Sequence, residues 1–260
     1  MSLKTHSSFF FGHTITELNN SLDFDEGGSE LQATLNTGSY SFTEFLAEIK
    51  RAMEAATGAV NTYTVSASRV TGLITISADA NFNLRPDTGS RFGTSAFLLI
   101  GFTGSDQTGS DTYQGDTRSG SIFIPQFFLQ DYISPDDIEE AVDASLNESA
   151  SGRRQVFLFG VRRFCELNIR YQTNEVPTAH PDILSDSNGV LNLRTFMQYI
   201  RTLAPIEFME DKDTPSQFVS LELESTPDSE MGVGFKLYER HGDQLPGYFD
   251  TGILKFRVRE

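Results

Sequence analysis

The residues able to do chemistry in this chain are mostly carboxylates, and they cluster: "DFDEGGSE" at 23–30, "PDDIEE" at 135–140 and "MEDKD" at 209–213. Paired acids could act as acid and base on a glycosidic bond, or hold calcium. Neither chemistry is written into the spacing. "SDSNG" at 185–189 lacks the first ligand of an EF-hand loop, and solvated turns account for the other acidic runs. Four histidines, His6, His13, His180 and His241, show no HExxH or paired-ligand spacing, so no zinc site is expected. The chain contains no GxxxxGK[ST] loop, no GxGxxG after a strand and no GxSxG elbow. Cys165 is the sole cysteine, which excludes an internal disulfide framework and a multi-cysteine metal site. As a nucleophile it would need a partly exposed thiolate, yet "RRFCELNIRYQTN" sets it in phase with Leu167, Ile169 and Tyr171 on the apolar side of a strict alternation. The expectation is therefore no catalytic, cofactor-binding or metal-ligating residue, no cofactor and no enzyme activity.

The elements that would position any site are easier to read than the site. In "GSYSFTEFLAEIKRAM", residues 38–53, Ser41 and Glu44 have the spacing of a capping box. Phe42, Phe45, Leu46, Ile49, Ala52, Met53 and Ala56 then recur as one buried helical face, while Glu44, Glu48, Lys50, Arg51 and Glu54 fall on a face read as solvated. A half-buried strand precedes the helix, with Leu31, Ala33 and Leu35 on one side, and "NTYTVSASRV" and "LITISAD" predict a β-hairpin turning at Thr71-Gly72. Phe97–Phe102 is expected to be buried. Residues 103–121, rich in Gly, Ser, Thr and Asp, read as a polar linker or exposed loop. Beyond them "SIFIPQFFLQDYI" reads as extended, "SPDDIEEAVDAS" as a short helical or turn segment and "ESASGRR" as a turn. Asn192 is the expected N-cap of a second helix with Leu193, Phe196, Met197, Ile200 and Leu203 on one face, ended by Pro205. "QFVSLELES", "GVGFKLYER" and "GILKFRVRE" follow as strands. Aligning Ser41 with Asn192 superposes the apolar positions of the two helices, which is either an internal β-α-β-β repeat or the shared pattern of any amphipathic helix.

Composition sets the remaining bounds. The chain has 260 residues, 38% of them hydrophobic and 22% charged, which is ordinary for a folded globular protein. No apolar run approaches the roughly 20 residues of a membrane span, and "MSLKTHSSFFFGHTITELNN" lacks a signal peptide's apolar core, so folding in a cytoplasm without membrane insertion is expected. The formal net charge of −16, from 36 acidic and 20 basic residues, opposes sequence-specific nucleic-acid binding, which needs clustered Lys and Arg. It suits an assembly subunit, or a wall past which a polyanion slides without sticking.

Two stretches resemble virion proteins of tailed bacteriophages. In "GSYSFTEFLAEIKRAMEAATGAVNTYTVSASRVTGLITISADANFNL" followed by "SAFLLIGFTGSDQTGSDTYQGD", a strand end leads into an amphipathic helix, then a hairpin, then an "L-G-F" element and a polar stretch; "LIGF" at 99–102 stands where the family shows "LLGF". "FVSLELESTPDSEMGVGFKLYERHGDQLPGYFDTGILKFRVRE" is similar to the closing strands of minor tail or baseplate components. The likeness spans about residues 9–115 and 150–260 and carries no catalytic residue. With the element pattern above it gives an expected α+β, mostly β fold of two modules of antiparallel strands, each packing one amphipathic helix: an N-terminal β-α-β-β module at 1–102, the linker at 103–121, and a β-sandwich-like module with one helix at 122–260. It implies a structural subunit of a phage tail, at the distal tail or baseplate, located in the virion after synthesis in the host cytoplasm. Such a subunit forms a symmetric homo-oligomeric ring and joins other tail or baseplate proteins. The alternatives are a fibre-anchoring or head-tail connector protein, or a host carbohydrate-recognition module.

Overall fold

Alternation in the first strand sets up the architecture, because three consecutive phenylalanines must serve two cores. The computed structural model describes residues 8–69, 71–125, 139–148, 154–169, 192–202, 204–209, 216–225 and 251–259. Its elements begin with β1 (Ser8–Phe11), β2 (His13–Ile15), β3 (Ser21–Asp25), β4 (Leu31–Thr34), β5 (Gly38–Tyr40) and helix α1 (Phe42–Glu54). β6 (Tyr63–Ala67), β7 (Ile74–Leu84), β8 (Gln107–Gln114), β9 (Ile122–Phe123), β10 (Glu139–Glu148) and β11 (Arg154–Asn168) follow. Helix α2 (Leu193–Ile200), β12 (Ile206–Met209), β13 (Phe218–Ser225) and β14 (Ile253–Val258) complete the order. The fold is mostly β within the α+β class, as expected.

Seven strands form one sheet in the order β10-β11-β14-β13-β12-β1-β9, β2 pairs with β5, and β4-β3-β7-β6 form a further sheet with β8 added on β7. Successive side chains of a strand point to opposite faces, so Phe9 and Phe11 enter a core with α2, Phe208 and Phe256. Phe10 enters the other core, with α1, Ile74, Ile76 and Tyr63. All four residues of β1 are buried, so Ser8–Phe11 of "SSFFFG" is an internal strand. The chain then crosses from the large sheet to β2 at Gly12, where a Cβ would lie 1.6 Å from the Tyr40 carbonyl oxygen.

Both helices form for the reasons their sequences give. The Glu44 N–H donates to Ser41 Oγ (3.3 Å) and the Ser41 N–H donates to Glu44 Oε2 (2.7 Å), closing the capping box. The Thr195 N–H donates to Asn192 Oδ1 at 2.8 Å. Phe42, Phe45, Ile49, Ala52 and Met53 on α1, and Leu193, Phe196, Met197 and Ile200 on α2, are buried. Glu48 departs from the expected solvated face. It lies beside the apolar stripe and is buried, because it accepts the Asn36 N–H at 2.6 Å and pairs with Arg51 at 2.5 Å. Leu203 lies outside the described residues.

Several boundaries differ from the sequence reading. Residues 103–121 are not a free linker: Gln107–Gln114 is a strand, Tyr113 pairing opposite Ile76 and Gln107 opposite Leu84. The one large apolar residue of this stretch, Tyr113, is buried, its hydroxyl donating to the Phe82 carbonyl at 2.8 Å, while the rest of the strand is polar and open. Nor do the modules divide at 102 and 122. β1 from the expected first module lies between β12 and β9, where Phe10 enters one core and Phe9 and Phe11 the other. Among the described residues the C-terminal part supplies one sheet with α2 on a face, not two facing sheets. Glu139–Ser145, read as helical or turn, is strand, its alternation completed by pairing with β11. Leu98 is 72% exposed although Phe97, Ile100 and Phe102 are buried, since this tight turn cannot direct every residue inward. The rest of "SPDDIEEAVDAS" and "ESASGRR", most of "SIFIPQFFLQDYI", and "GVGFKLYER" lie outside the described residues.

The β7–β8 pairing gives a first expected outcome. In limited proteolysis of the native chain with a broad-specificity protease, cleavage within Gln107–Gln114 should lag behind other sites, because paired backbone must open before it is cut. Early cleavage there, mapped by mass spectrometry, would show that β8 is not held.

Candidate functional site

The acidic cluster at 23–30 is spent on structure. Asp23 and Asp25 flank Phe24 on β3. The Arg91 backbone N–H (2.6 Å) and Nε (2.9 Å) donate to Asp23, and Arg91 Nη2 also donates to the Ala33 carbonyl at 2.6 Å. Asp25 accepts from Asn83 Nδ2 (2.6 Å), Arg85 Nε (2.8 Å) and the Gly27 N–H (3.0 Å). Burial pushes the Asp25 carboxyl up, but these donors outweigh it and hold it below the usual range. Arg85 also pairs with Asp106 at 3.3 Å, and Asp106 accepts the N–H groups of Asp87 and Thr88 and the Thr88 hydroxyl. Glu26 accepts from the N–H groups of Val60 and Asn61 and from the Tyr63 hydroxyl (2.9 Å), and Glu30 accepts the Ser90 N–H. Each of these carboxylates fastens a loop to the sheet. A general acid needs the reverse, a carboxyl held neutral in an apolar setting.

His13 is the one histidine among the described residues; His6, His180 and His241 lie outside them. Its ring packs 4.3 Å from that of Phe45 and Nε2 lies 3.0 Å from Ser119 Oγ. This is a histidine–serine contact, yet not that of an activated nucleophile. Ser119 Oγ donates its proton to the Leu99 carbonyl at 2.7 Å, so Nε2–H must be the donor to the hydroxyl. A general base has to accept from the nucleophile. Burial lowers the His13 pKa to about 4, keeping the ring neutral. Cys165 is fully buried opposite Phe256, and burial pushes its thiol up to about 12. Tyr171, expected on the same face, lies outside the described residues.

The most elaborate polar constellation among the described residues lies on the α1 side of the large sheet, beside the core that contains Phe10 and Phe42, and the sequence reading did not single it out. Arg69, in the β6–β7 turn, meets Glu207 of β12. Nη1 and Oε2 lie 2.5 Å apart, with side-chain exposures of 11% and 0%. Glu207 Oε1 accepts the Thr43 N–H at the start of α1 (2.6 Å), and Arg69 Nη2 donates to Thr43 Oγ1 (2.6 Å). The guanidinium also lies over the rings of Phe218 (4.2 Å), Phe42 (4.8 Å) and Phe10 (5.8 Å). One ion pair thereby ties the hairpin turn, the helix N-terminus and the large sheet, at a helix end where a carboxylate is favoured. The available signal was Glu207 alone in the apolar run "PIEFM".

The turn at "LIGF" is another fixed point. Gly101 has φ +84 and a Cβ there would lie 2.1 Å from the Thr117 carbonyl oxygen, while its own carbonyl accepts the N–H groups of Asp116 and Thr117. Glycine is required on both counts.

No family model matches the chain. No curated protein matches it either. Among solved structures, the selenomethionine-labelled mavirus penton protein superposes with a TM-score of 0.28 at 8% identity, over 98% of this chain and 83% of that one. A superposition this loose carries no argument about function.

Among the described residues no group of three or more His, Cys, Asp or Glu side chains is placed to hold a metal ion, and no helix is long and apolar enough to cross a membrane. Of the acidic clusters, Asp136 and Asp137 and residues 210–213 lie outside the described residues, as does 185–189. What the described geometry does chemically is hold layers together: a carboxylate–guanidinium lattice under the β3 loops, and the Arg69–Glu207 tie of the β6–β7 turn and the α1 N-terminus to the large sheet.

Proposed function

We propose that this chain is a structural subunit of a bacteriophage tail, at the distal tail or baseplate, forming a symmetric ring and joining neighbouring tail proteins. The reading rests on the sequence resemblance. It is supported by one observation: the segments that carry the likeness, α1 with the β6–β7 hairpin and the Gly101 turn, form a core whose charged groups Asp23, Asp25, Glu26, Glu48 and Glu207 are all engaged in internal ties. Such a body offers a rigid part, not a reactive group, and the proposal includes no enzyme activity. The net charge of −16 suits a channel wall that DNA passes without binding. It also makes neighbouring copies repel at long range, an effect that fades as the Debye length falls from about 30 Å at 0.01 M salt to about 8 Å at 0.15 M.

Light scattering across a salt series, with electron microscopy of virions bearing a labelled copy of the chain, tests the reading. The expected result is a discrete ring favoured by salt or by a tail partner, and label at the tail tip. A monomer throughout, with no label in the tail, would overturn it in favour of the carbohydrate-recognition alternative; label along a fibre or at the neck would favour the anchoring or connector roles.

A further inference from the structure

The large sheet ends in a two-stranded ribbon. β11 runs for 15 residues, of which Phe164–Asn168 pair with β14 and Arg154–Phe164 pair with β10. Among the described residues, no strand lies on the second edge of Arg154–Arg163 or on the outer edge of β10. At about 3.3 Å per residue the ribbon is roughly 30 Å long. A two-stranded ribbon by itself is marginal in water. This one contains Val156, Phe157, Leu158, Phe159 and Val161, apolar in both phases of the strand repeat, which is the composition of an interior strand rather than of an edge.

Charge decides what fits beside it. β10 carries Glu139, Glu140, Asp143 and Glu148 and no base, while Arg154–Arg163 carries Arg154, Arg162 and Arg163 and no acid. Within the chain the register opposes Glu140 to Arg163 and Glu148 to Arg154, with a bulge between Asp143 and Ala144 absorbing the one-residue difference in spacing. A residue inside a sheet has a cross-strand neighbour on either side. The arginine positions can therefore face a second acidic strand, and the glutamate positions a second basic one. Another copy supplies both with the same spacing. A contact of β10 with β10, or of β11 with β11, would instead oppose like charges.

We infer that copies of this chain join edge to edge, the outer edge of β10 in one copy pairing with the Arg154–Arg163 edge of β11 in the next. The two surfaces differ, so the contact is heterologous and repeats until the rotation closes a ring. The inference rests on the ring reading above and names the surface through which that ring closes.

Variants of the full chain that each add one cysteine test it, since the native Cys165 is buried. One set places cysteine on β10 (Ala141→Cys, Ala144→Cys, Leu146→Cys) and the other on β11 (Val156→Cys, Leu158→Cys, Val161→Cys). Each is screened for a native thermal melt, and the sets are co-expressed in pairs and mildly oxidised. The expected result is a covalent dimer from at least one β10–β11 combination and from no variant alone. Light scattering of the unmodified chain is read separately. An oligomer with no mixed cross-link overturns the edge pairing and leaves the ring standing. Cross-links from one set alone overturn it in favour of a two-fold contact. A monomer at every concentration overturns both.

Discussion

Glu207→Ala is expected to cost about 3–5 kcal/mol of stability, the usual consequence of leaving a buried charge without its partner. Glu207 is fully buried, and its removal strands the Arg69 guanidinium among Phe10, Phe42 and Phe218 while taking the acceptor from the Thr43 N–H. The attraction between the two charges is not itself the source of so large an effect. Desolvating both is expensive, and a buried pair often does no better than well-packed apolar residues. The double change Arg69→Met with Glu207→Leu should therefore recover most of the loss, although Thr43 remains unsatisfied. Urea unfolding of the parent, Arg69→Met, Glu207→Leu and the double variant gives the coupling directly. A Glu207→Ala variant within about 1 kcal/mol of the parent would mean that the turn moves away and lets water reach Arg69.

A loss of about 3 kcal/mol is expected on acidification through the range set by His13. Its pKa is about 4 in the fold against 6.5 for the free side chain, and each unit corresponds to about 1.4 kcal/mol. The folded value is the lower one, so the unfolded chain binds the proton first. The contribution of His13 is complete above pH 6.5 and drains away as the pH falls toward 4. Asp25, Glu30, Glu48 and Asp106, all held below the usual carboxylate range, lose their contributions at lower pH, as the solution passes from the ordinary carboxylate range down through their own. Among the described residues, the slope between pH 5 and 6.5 therefore belongs mainly to His13. Urea midpoints of the parent and of His13→Gln across that interval decide the matter. The variant is less stable overall and flat with pH; a slope equal to the parent's would place the titrating group elsewhere.

Both effects arise where distant parts of the chain are brought into contact. Thr43 and Glu207 are 164 residues apart, and His13 and Ser119 are 106 apart. Neither pairing leaves a mark in local spacing, which is why the sequence reading treated His13 as unassigned and passed over Arg69 and Glu207.

What the sequence determined by itself is the local structure. The Ser41–Glu44 box, the Asn192 cap, both helical stripes, the Thr71-Gly72 hairpin and the buried phase of Cys165, Leu167 and Ile169 all depend on residues within a few positions of one another. There the backbone's hydrogen-bonding needs and the period of the element leave little choice. The tertiary structure decided everything that depends on what a strand meets. A strand's partner lies beyond the reach of period two, so Gln107–Gln114, nearly free of apolar residues, reads as a linker until β7 supplies its hydrogen bonds. Glu139–Ser145 likewise reads as a short helical or turn segment until β11 fixes its phase. Three phenylalanines in a row are ambiguous alone, and become an interior strand because a core lies on each side. Glu48 reads as solvated because, beyond its helix neighbour Arg51, it is compensated by the Asn36 N–H outside the helix, and only the folded state brings these donors close enough for burial to cost less than separation.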